Sequence, residues 1–364
     1  MKKMSKLKPY LLVVATCCLF LLLIPSCSES PTKQEIYEPG IITMVTKASE
    51  VKLGLNGIGE IIITCDLGYP DWRNKSYNIT LSNYSPDYAT PVYYIILPDF
   101  QEYTLTLEGY ITHLHAYKNE LTYLDVRDMP SLLELYCGDN QLSHLDVSKN
   151  KSLEVLHCEV NLIENLNVRE NIALRYLGTA RNKLSNLDVS QNILLTQLSF
   201  YDNKLTNIDI NNNILLETLY CDNNQLRDLD LSNNTSLTAL LAQNNQIEHL
   251  DLKNNIHIEH LYVFDNNIHK IDIETNSLVR VYMHNNKLDV EALDDIFRSL
   301  NTYNPPEIHR LGDITIWCNI GENECDRSIA EDKGWLIQDK GWLTQGKYHP
   351  FSEDKTENLI KNNN

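Results

Sequence analysis

Between Leu132 and Asn245 the apolar and polar positions follow one repeated phrase. It runs Leu132-x-x-Leu135-x-Cys137-x-x-Asn140-x-Leu142-x-x-Leu145-Asp146-Val147-x-x-Asn150, and restarts at Leu153, Leu174, Leu195, Leu216 and Leu237. Asn140, Asn161, Asn182, Asn203, Asn224 and Asn245 stand 21 residues apart. A fixed period of this length predicts a solenoid, in which each unit buries its apolar face against the next. The pattern extends to about nine units, starting near Ile111, Leu132, Leu153, Leu174, Leu195, Leu216, Leu237, Ile258 and Leu278, with the unit from Ile258 one residue short.

Each column of the repeat has a physical cause. The Leu-x-Leu or Leu-x-Cys core of a unit reads as a short strand, and successive copies form a parallel sheet at ~4.8 Å spacing. The Leu at unit positions one, four, eleven and fourteen point inward. The Asn column from Asn119 to Asn286 bends the chain out of the strand, its amide donating to and accepting from backbone groups buried in the turn. A second column (Asn150, Asn171, Asn192, Asn213, Asn234, Asn255, Asn276) does the same at the far turn. Asp125, Asp146, Asp188, Asp209, Asp230, Asp251 and Asp272 stack like charges, which turn amides would have to hold. Carboxylates raise calcium as an alternative, but one per turn is sparse and there is no Gly-rich nonapeptide. Cys137, Cys158 and Cys221 share an inward slot with Thr179, Phe200, Ala242, Val263 and Met283, so they read as small buried hydrophobes. Parallel neighbours point the same way, a poor geometry for a Cys137–Cys158 disulfide.

Side chains alternate along a strand, so the neighbours of the inward Leu and Cys point out. The candidate binding residues lie there: His115, Tyr136, His157, Tyr176, Tyr201, Tyr220, Tyr262, Phe264 and Tyr282. Aligned aromatics suit recognition of a protein or a glycan; strand propensity and cross-strand pairing are the structural alternative. His113 and His115 share one strand face, but two ligands do not make a metal site. With no acid–base pair, no nucleophile beside a base and no complete metal set, neither catalysis nor a cofactor is expected.

The flanks differ. Residues 41–107 hold β-branched runs (Ile41–Thr46, Glu60–Thr64), with Asn56-Gly57-Ile58-Gly59 read as a turn between them, then further strands at Tyr77–Leu81, Val92–Leu97 and Tyr103–Leu107. This small antiparallel β-domain reads either as a cap over the first repeat or as a second binding module carrying Trp72. The repeats span 108–290. Val290, Leu293, Ile296, Phe297 and Leu300 have helical spacing, which begins a cap over 291–343. Ile314–Trp317 reads as a strand, and Ser328–Ile337 as a short helix and a strand. Cys318 and Cys325 can pair in an oxidising compartment. The Asn/Lys-rich tail 344–364 is expected to be disordered.

The net charge is −18. The first 26 residues carry four Lys and no acid, leaving 27 basic against 49 acidic residues in the remainder. That excludes nucleic acid as a partner, since phosphate contacts need clustered Lys and Arg. Lys2, Lys3, Lys6 and Lys8, the apolar run Tyr10–Ile24 and Ile24-Pro25-Ser26-Cys27 read as a secretory leader over 1–26, too short in its apolar run to span a bilayer. A polar linker, 27–40, follows.

In these features the chain resembles the leucine-rich-repeat lipoproteins on the surface of gut-type Gram-negative bacteria and, more loosely, internalin-like repeats. The carriers are the lipobox-like end at Cys27, the Leu-x-x-Leu-x-Cys-x-x-Asn-x-Leu-x-x-Leu-Asp-Val-Ser-x-Asn repeat and Ala330-x-x-Lys333-Gly334-Trp335. The family's Ile-Asp-Trp-Gly-Asp-Gly motif is degraded here to Thr64-Cys65-Asp66-Leu67-Gly68. The resemblance implies a right-handed leucine-rich-repeat solenoid, β-rich, with its parallel sheet on the concave face, an N-terminal antiparallel β-domain and an α/β C-terminal cap. It also implies lipidation at Cys27, a membrane anchor at the outer membrane or cell surface, and adhesion to a protein partner, or alternatively a glycan, on the concave face.

Overall fold

The computed structural model describes residues 11–13, 40–66, 92–97, 102–274, 277–302 and 312–338. Cys27, Trp72, the expected strand Tyr77–Leu81, Lys340-Gly341-Trp342-Leu343 and the tail lie outside them.

The chain begins with strands β1 (Leu11–Val13), β2 (Gly40–Thr46), β3 (Glu50–Asp66), β4 (Val92–Ile96), β5 (Tyr103–His115) and β6 (Leu121–Asp125). β5 lies antiparallel to both β2 and β3; β3 also pairs β4 and β1, and β2 pairs β6. The expected turn at Asn56–Gly59 is not one. β3 runs straight through it, and its register against β5 shifts between Asn56 and Gly57 and again between Ile58 and Ile62. Glycine inside a strand marks a bulge as readily as a turn, and the long partner β5 decides in favour of continuity. β5 itself passes without a break from the antiparallel sheet into the first rung of the solenoid, pairing His113–His115 in parallel with Glu134–Tyr136.

The rungs follow as β7 (Glu134–Tyr136), β8 (Val155–His157), β9 (Tyr176–Gly178), β10 (Gln197–Ser199), β11 (Thr218–Tyr220) and β12 (Ala239–Leu241). Next come β13 (His249–Asp251), β14 (His260–Tyr262), β15 (Lys270–Asp272), β16 (Arg280–Tyr282), helix α1 (Val290–Ser299), β17 (Gly312–Thr315), helix α2 (Ser328–Glu331) and β18 (Trp335–Gln338). The long sheet continues in parallel through β14, β16, β17 and β18, while β13 and β15 form a separate pair. Leu135, Leu156, Leu177, Leu198, Leu219, Leu240 and Leu261 are fully buried at one register position. Cys137, Cys158 and Cys221 are buried thiols in the inward slot, as their exchange with Val and Met predicts.

The first Asn column behaves as its chemistry requires. Asn140 Nδ2 donates to the carbonyls of Ala116, Cys137 and Gly138 (2.9–3.0 Å), and its Oδ1 accepts from the amides of Asn119 and Leu121 (3.0 and 2.9 Å). At the N-terminal end Asn119 closes the column on Lys52 of β3, donating to its carbonyl and accepting from its amide, both at 2.7 Å. At the other end Asn319, missed in the sequence, continues the column by donating to Met283 and Ile316 carbonyls. β17 is therefore a further rung, not a separate cap strand. The second column differs from expectation: Asn171 Nδ2 donates to Val147 and Asn150 carbonyls at 2.8 Å, but among the described residues its Oδ1 has no donor. The Asp column is held by turn amides, as in Ser148 N to Asp146 Oδ1 at 3.0 Å and Ser190 N to Asp188 Oδ1 at 3.0 Å. Asp125 is lowered to about 2, chiefly by the Arg127 side chain that donates to it.

Ahead of each first-column Asn stands a residue with φ between 50° and 58°: Lys118, Asp139, Val160, Arg181, Asp202, Asn223, Asn244, Asp265, Asn285 and Cys318. The turn demands a left-handed residue there whatever its side chain. At the C-terminal end Asp289 caps α1 by accepting from the Ala292 amide, and α1 buries Leu293, Ile296 and Phe297 in the solenoid core. Lys333 Nζ donates to the Phe297 and Leu300 carbonyls (3.2 and 2.8 Å) at the helix's negative end, and Trp335 packs against Gly312 with its Nε1 on the Asn301 carbonyl at 3.0 Å. Cys318 carries an exposed thiol and Cys325 a buried one.

Candidate functional site

Three outward columns run across the long sheet. The central one reads His115, Tyr136, His157, Gly178, Ser199, Tyr220, Leu241, Tyr262, Tyr282 by strand register. One side column holds Tyr176; the other holds Glu159, Ala180, Tyr201, Asp222, Gln243, Phe264 and His284.

The rings gather in two banks. In the first, His115 meets Tyr136 at 4.3 Å between centroids, Tyr136 stacks on His157 at 4.4 Å, and His157 stacks on Tyr176 at 4.0 Å. Tyr176 belongs to the side column. It joins the stack because Gly178 leaves the central position empty: a Cβ there would lie 2.9 Å from the Tyr176 ring and 1.8 Å from Glu159 Oε1. Glu159 fills that gap, accepting from His157 Nδ1 at 3.0 Å and from the Tyr176 hydroxyl at 3.2 Å. Burial would raise its carboxyl, but the charge and hydrogen bond of His157 outweigh it, and the group is held low. His115 is lowered to about 4 by burial and by the neighbouring His113 and His157, so it is neutral at physiological pH.

The second bank lies nearer the C-terminus. Tyr262 and Tyr282 meet edge-on at 4.8 Å; Phe264, His284 and Trp317 stack at 4.5 and 3.9 Å. Burial lowers His284 to about 4, and its Nδ1 lies 2.7 Å from Thr315 Oγ1. Here the expectation of solvent-facing rings fails. Tyr262 and Tyr282 are 2% and 7% exposed and form a small second core with Ala239 and Leu241, onto which Tyr220 and Phe264 pack. Outward direction does not ensure exposure, because rings on rungs ~4.8 Å apart cover one another. His115, Tyr136, His157, Tyr176, Tyr201, Tyr220 and Phe264 are half-buried.

Between the banks the floor is small and polar: Gly178, Ala180 and Ser199, then Tyr201, Asp222 and Gln243. Tyr201 carries the Arg181 guanidinium 5.8 Å from its ring centroid, and Arg181 Nε meets Asp202 at 3.3 Å. Glu159, Asp222 and Gln243 escaped a reading aimed at aromatics. The gap at Gly178 in an otherwise bulky column was the signal that something else fills the space.

His157 and Glu159 form an acid–base pair, but the cysteine thiols lie on the inner side of the sheet, where burial pushes all three well up. Among the described residues no three His, Cys, Asp or Glu side chains gather as metal ligands. His113 Nδ1 instead lies 2.8 Å from Thr112 Oγ1, and its Nε2 3.7 Å from Glu134.

No protein-family model and no curated protein matches the sequence. Solved structures do. The functional domain of InlJ from Listeria monocytogenes, described as including a cysteine ladder, superposes with a TM-score of 0.53 at 25% identity, over 67% of this chain and 56% of that one. Internalin C2 from Listeria monocytogenes gives 0.41 at 24% identity, covering 43% and 72%. The leucine-rich repeat domain of APL1B gives 0.46 at 20%, covering 55% and 59%. The chain is thus a leucine-rich-repeat solenoid that spans little more than half of the InlJ domain.

Proposed function

We propose that this leucine-rich-repeat protein is a lipid-anchored binding protein of the outer membrane or cell surface that holds a protein partner on the concave face of its long sheet. The observation that carries the reading is the pair of aromatic banks flanking a small polar floor. Half-buried, mutually braced rings lose little side-chain freedom on binding, and such rings dominate binding energy where they are desolvated. A glycan is the alternative ligand. It is disfavoured because the faces of His115, Tyr136, His157 and Tyr176 are spent on one another, leaving edges and polar tips rather than open platforms for sugar rings. Pull-down with the soluble chain from residue 28 onward should recover a protein. Recovery of none, alongside a positive glycan array, would replace the protein by a sugar.

The anchor rests on the charged and apolar leader ending at Cys27. No helix among the described residues is long and apolar enough to cross a membrane. Changing Cys27 to Ala should release the protein from the membrane fraction; unchanged partitioning would refute lipidation there.

A second surface supports a rival docking mode. Ile172, Ile193, Ile214 and Ile256 occupy one position of their repeats and are 59%, 54%, 55% and 46% exposed, with Leu215 beside them at 41%. An aligned apolar stripe of this kind is itself a recognised mark of an interaction surface, and it lies on the turn entering each strand rather than on the sheet.

A further inference from the structure

The segment that closes the solenoid is repeated at once in the sequence. Asp332-Lys333-Gly334-Trp335-Leu336-Ile337-Gln338 is followed without a gap by Asp339-Lys340-Gly341-Trp342-Leu343-Thr344-Gln345, identical at six of seven positions. The first copy contains β18, which pairs with β17 and ends the long sheet, with no strand beyond it among the described residues. The second copy lies outside them.

The side-chain contacts that hold the first copy come, with one exception, from residues the second also carries. Lys333 Nζ donates to the carbonyls of Phe297, Arg298 and Leu300 at the C-terminal end of α1. Gly334 turns the chain at φ 82°, a conformation that asks for glycine. Trp335 is 3% exposed, and its Nε1 donates to the Asn301 carbonyl. Its ring takes the space that a side chain at Gly312 would need, 2.8 Å from the ideal Cβ position. Gln338 Nε2 donates to Asp313 Oδ1 at 3.3 Å. The exception is Ile337, half-buried against the core, whose counterpart Thr344 is also β-branched.

We propose that 339–345 is a spare closing strand: it can take the place of 332–338 against β17, Gly312 and the end of α1, so that the last rung has two interchangeable registers. The exchange is not a slide. The copies lie seven residues apart, and a strand moved by an odd number of residues turns its inward side chains outward. The first copy has to leave and the second dock in its stead, with 332–338 looped out after α2. Glu331 and Asp332 are exposed, so the loop has room, and closure entropy grows only slowly with loop length. Because β18 ends the sheet, no other strand has to move. The first copy is the resident one, since Ile337 buries apolar surface that Thr344 does not. The second keeps the edge of β17 covered when the first comes away; an uncovered edge is a template for pairing with other chains. None of this depends on what the concave face binds.

The test is a double-variant cycle on the full chain purified in detergent, read by melting temperature. Trp342→Ala should melt as the wild type does. Trp335→Ala should melt only slightly lower, because Trp342 takes its place. The double variant should fall by clearly more than the two single losses together. In the Trp335→Ala background Thr344→Ile should raise the melting temperature, since it restores the one missing contact; in the wild type it should change little. Hydrogen exchange locates the strand: amides of 335–338 should be protected in the wild type, and in Trp335→Ala that protection should pass to 342–345. A double variant that melts together with Trp335→Ala, a Trp335→Ala chain that fails to fold, or protection that never appears at 342–345 would overturn the spare strand. So would a Trp335→Ala melting temperature that rises with protein concentration, because the second copy would then be docking on a neighbouring chain.

Discussion

The inner and outer sides of the same rungs obey different rules. Inside, Leu156, Leu177, Leu198 and Leu219 are interchangeable, and Asn140 and Asn161 make the same bonds one rung apart. Outside, the same rungs offer His157, Gly178, Ser199 and Tyr220. The inner side repeats because each turn leaves the same backbone groups to be satisfied and the same gap to be filled. No such demand acts outside, so the outward columns vary, and their departures from the period mark where chemistry is placed.

Breaking the inner side should have the largest effect. Leu198→Ala empties a fully buried position between two packed neighbours; unfolding by denaturant should show a loss of about 3–4 kcal/mol. Asn161→Ala removes donation to the Cys137, Cys158 and Glu159 carbonyls and acceptance from the Leu142 amide. Its loss should be about 2–3 kcal/mol, because the orphaned groups stay buried. Tyr136→Ser, on a half-buried outward ring, should lose only about 1 kcal/mol. If Tyr136→Ser proved as damaging as Asn161→Ala, the contrast between the two sides would be void. The smallest effect has the opposite sign. Val160 is a β-branched residue at φ 54°; Val160→Asn should raise stability by about 1 kcal/mol, since Asn adopts the left-handed region far more readily. Unchanged or lowered stability would mean that packing, not backbone strain, dominates at that turn.

This contrast also explains how much the sequence discloses. The solenoid, its inward Leu and Cys slots and the two-sided bonding of the first Asn column follow from period and alternation alone. Helix α1 was equally legible from the spacing of Leu293, Ile296 and Phe297. The left-handed column was not, because Lys118, Val160 and Arg181 share no side-chain signature; the Asn that follows and the turn impose it. Asn56-Gly57 misled because a local turn signal was overruled by a distant strand. The outward direction of the aromatics was legible, but their cover was not. Tyr262 and Tyr282 are sealed by Ala239 and Leu241 from other rungs, and Tyr176 reaches His157 only because Gly178 is small.

The central claim is that the outward sheet face, and not the isoleucine stripe, holds the partner. Two double variants test it directly: Tyr136→Ser with Tyr201→Ser, and Ile193→Ser with Ile214→Ser. Melting temperature and affinity for the protein recovered by pull-down are measured on both. The account predicts that the tyrosine pair melts within a few degrees of wild type yet loses about 2 kcal/mol or more of binding per ring, while the isoleucine pair binds as wild type does. Normal binding by the tyrosine pair, with binding lost in the isoleucine pair, would contradict it and move recognition to the edge of the solenoid.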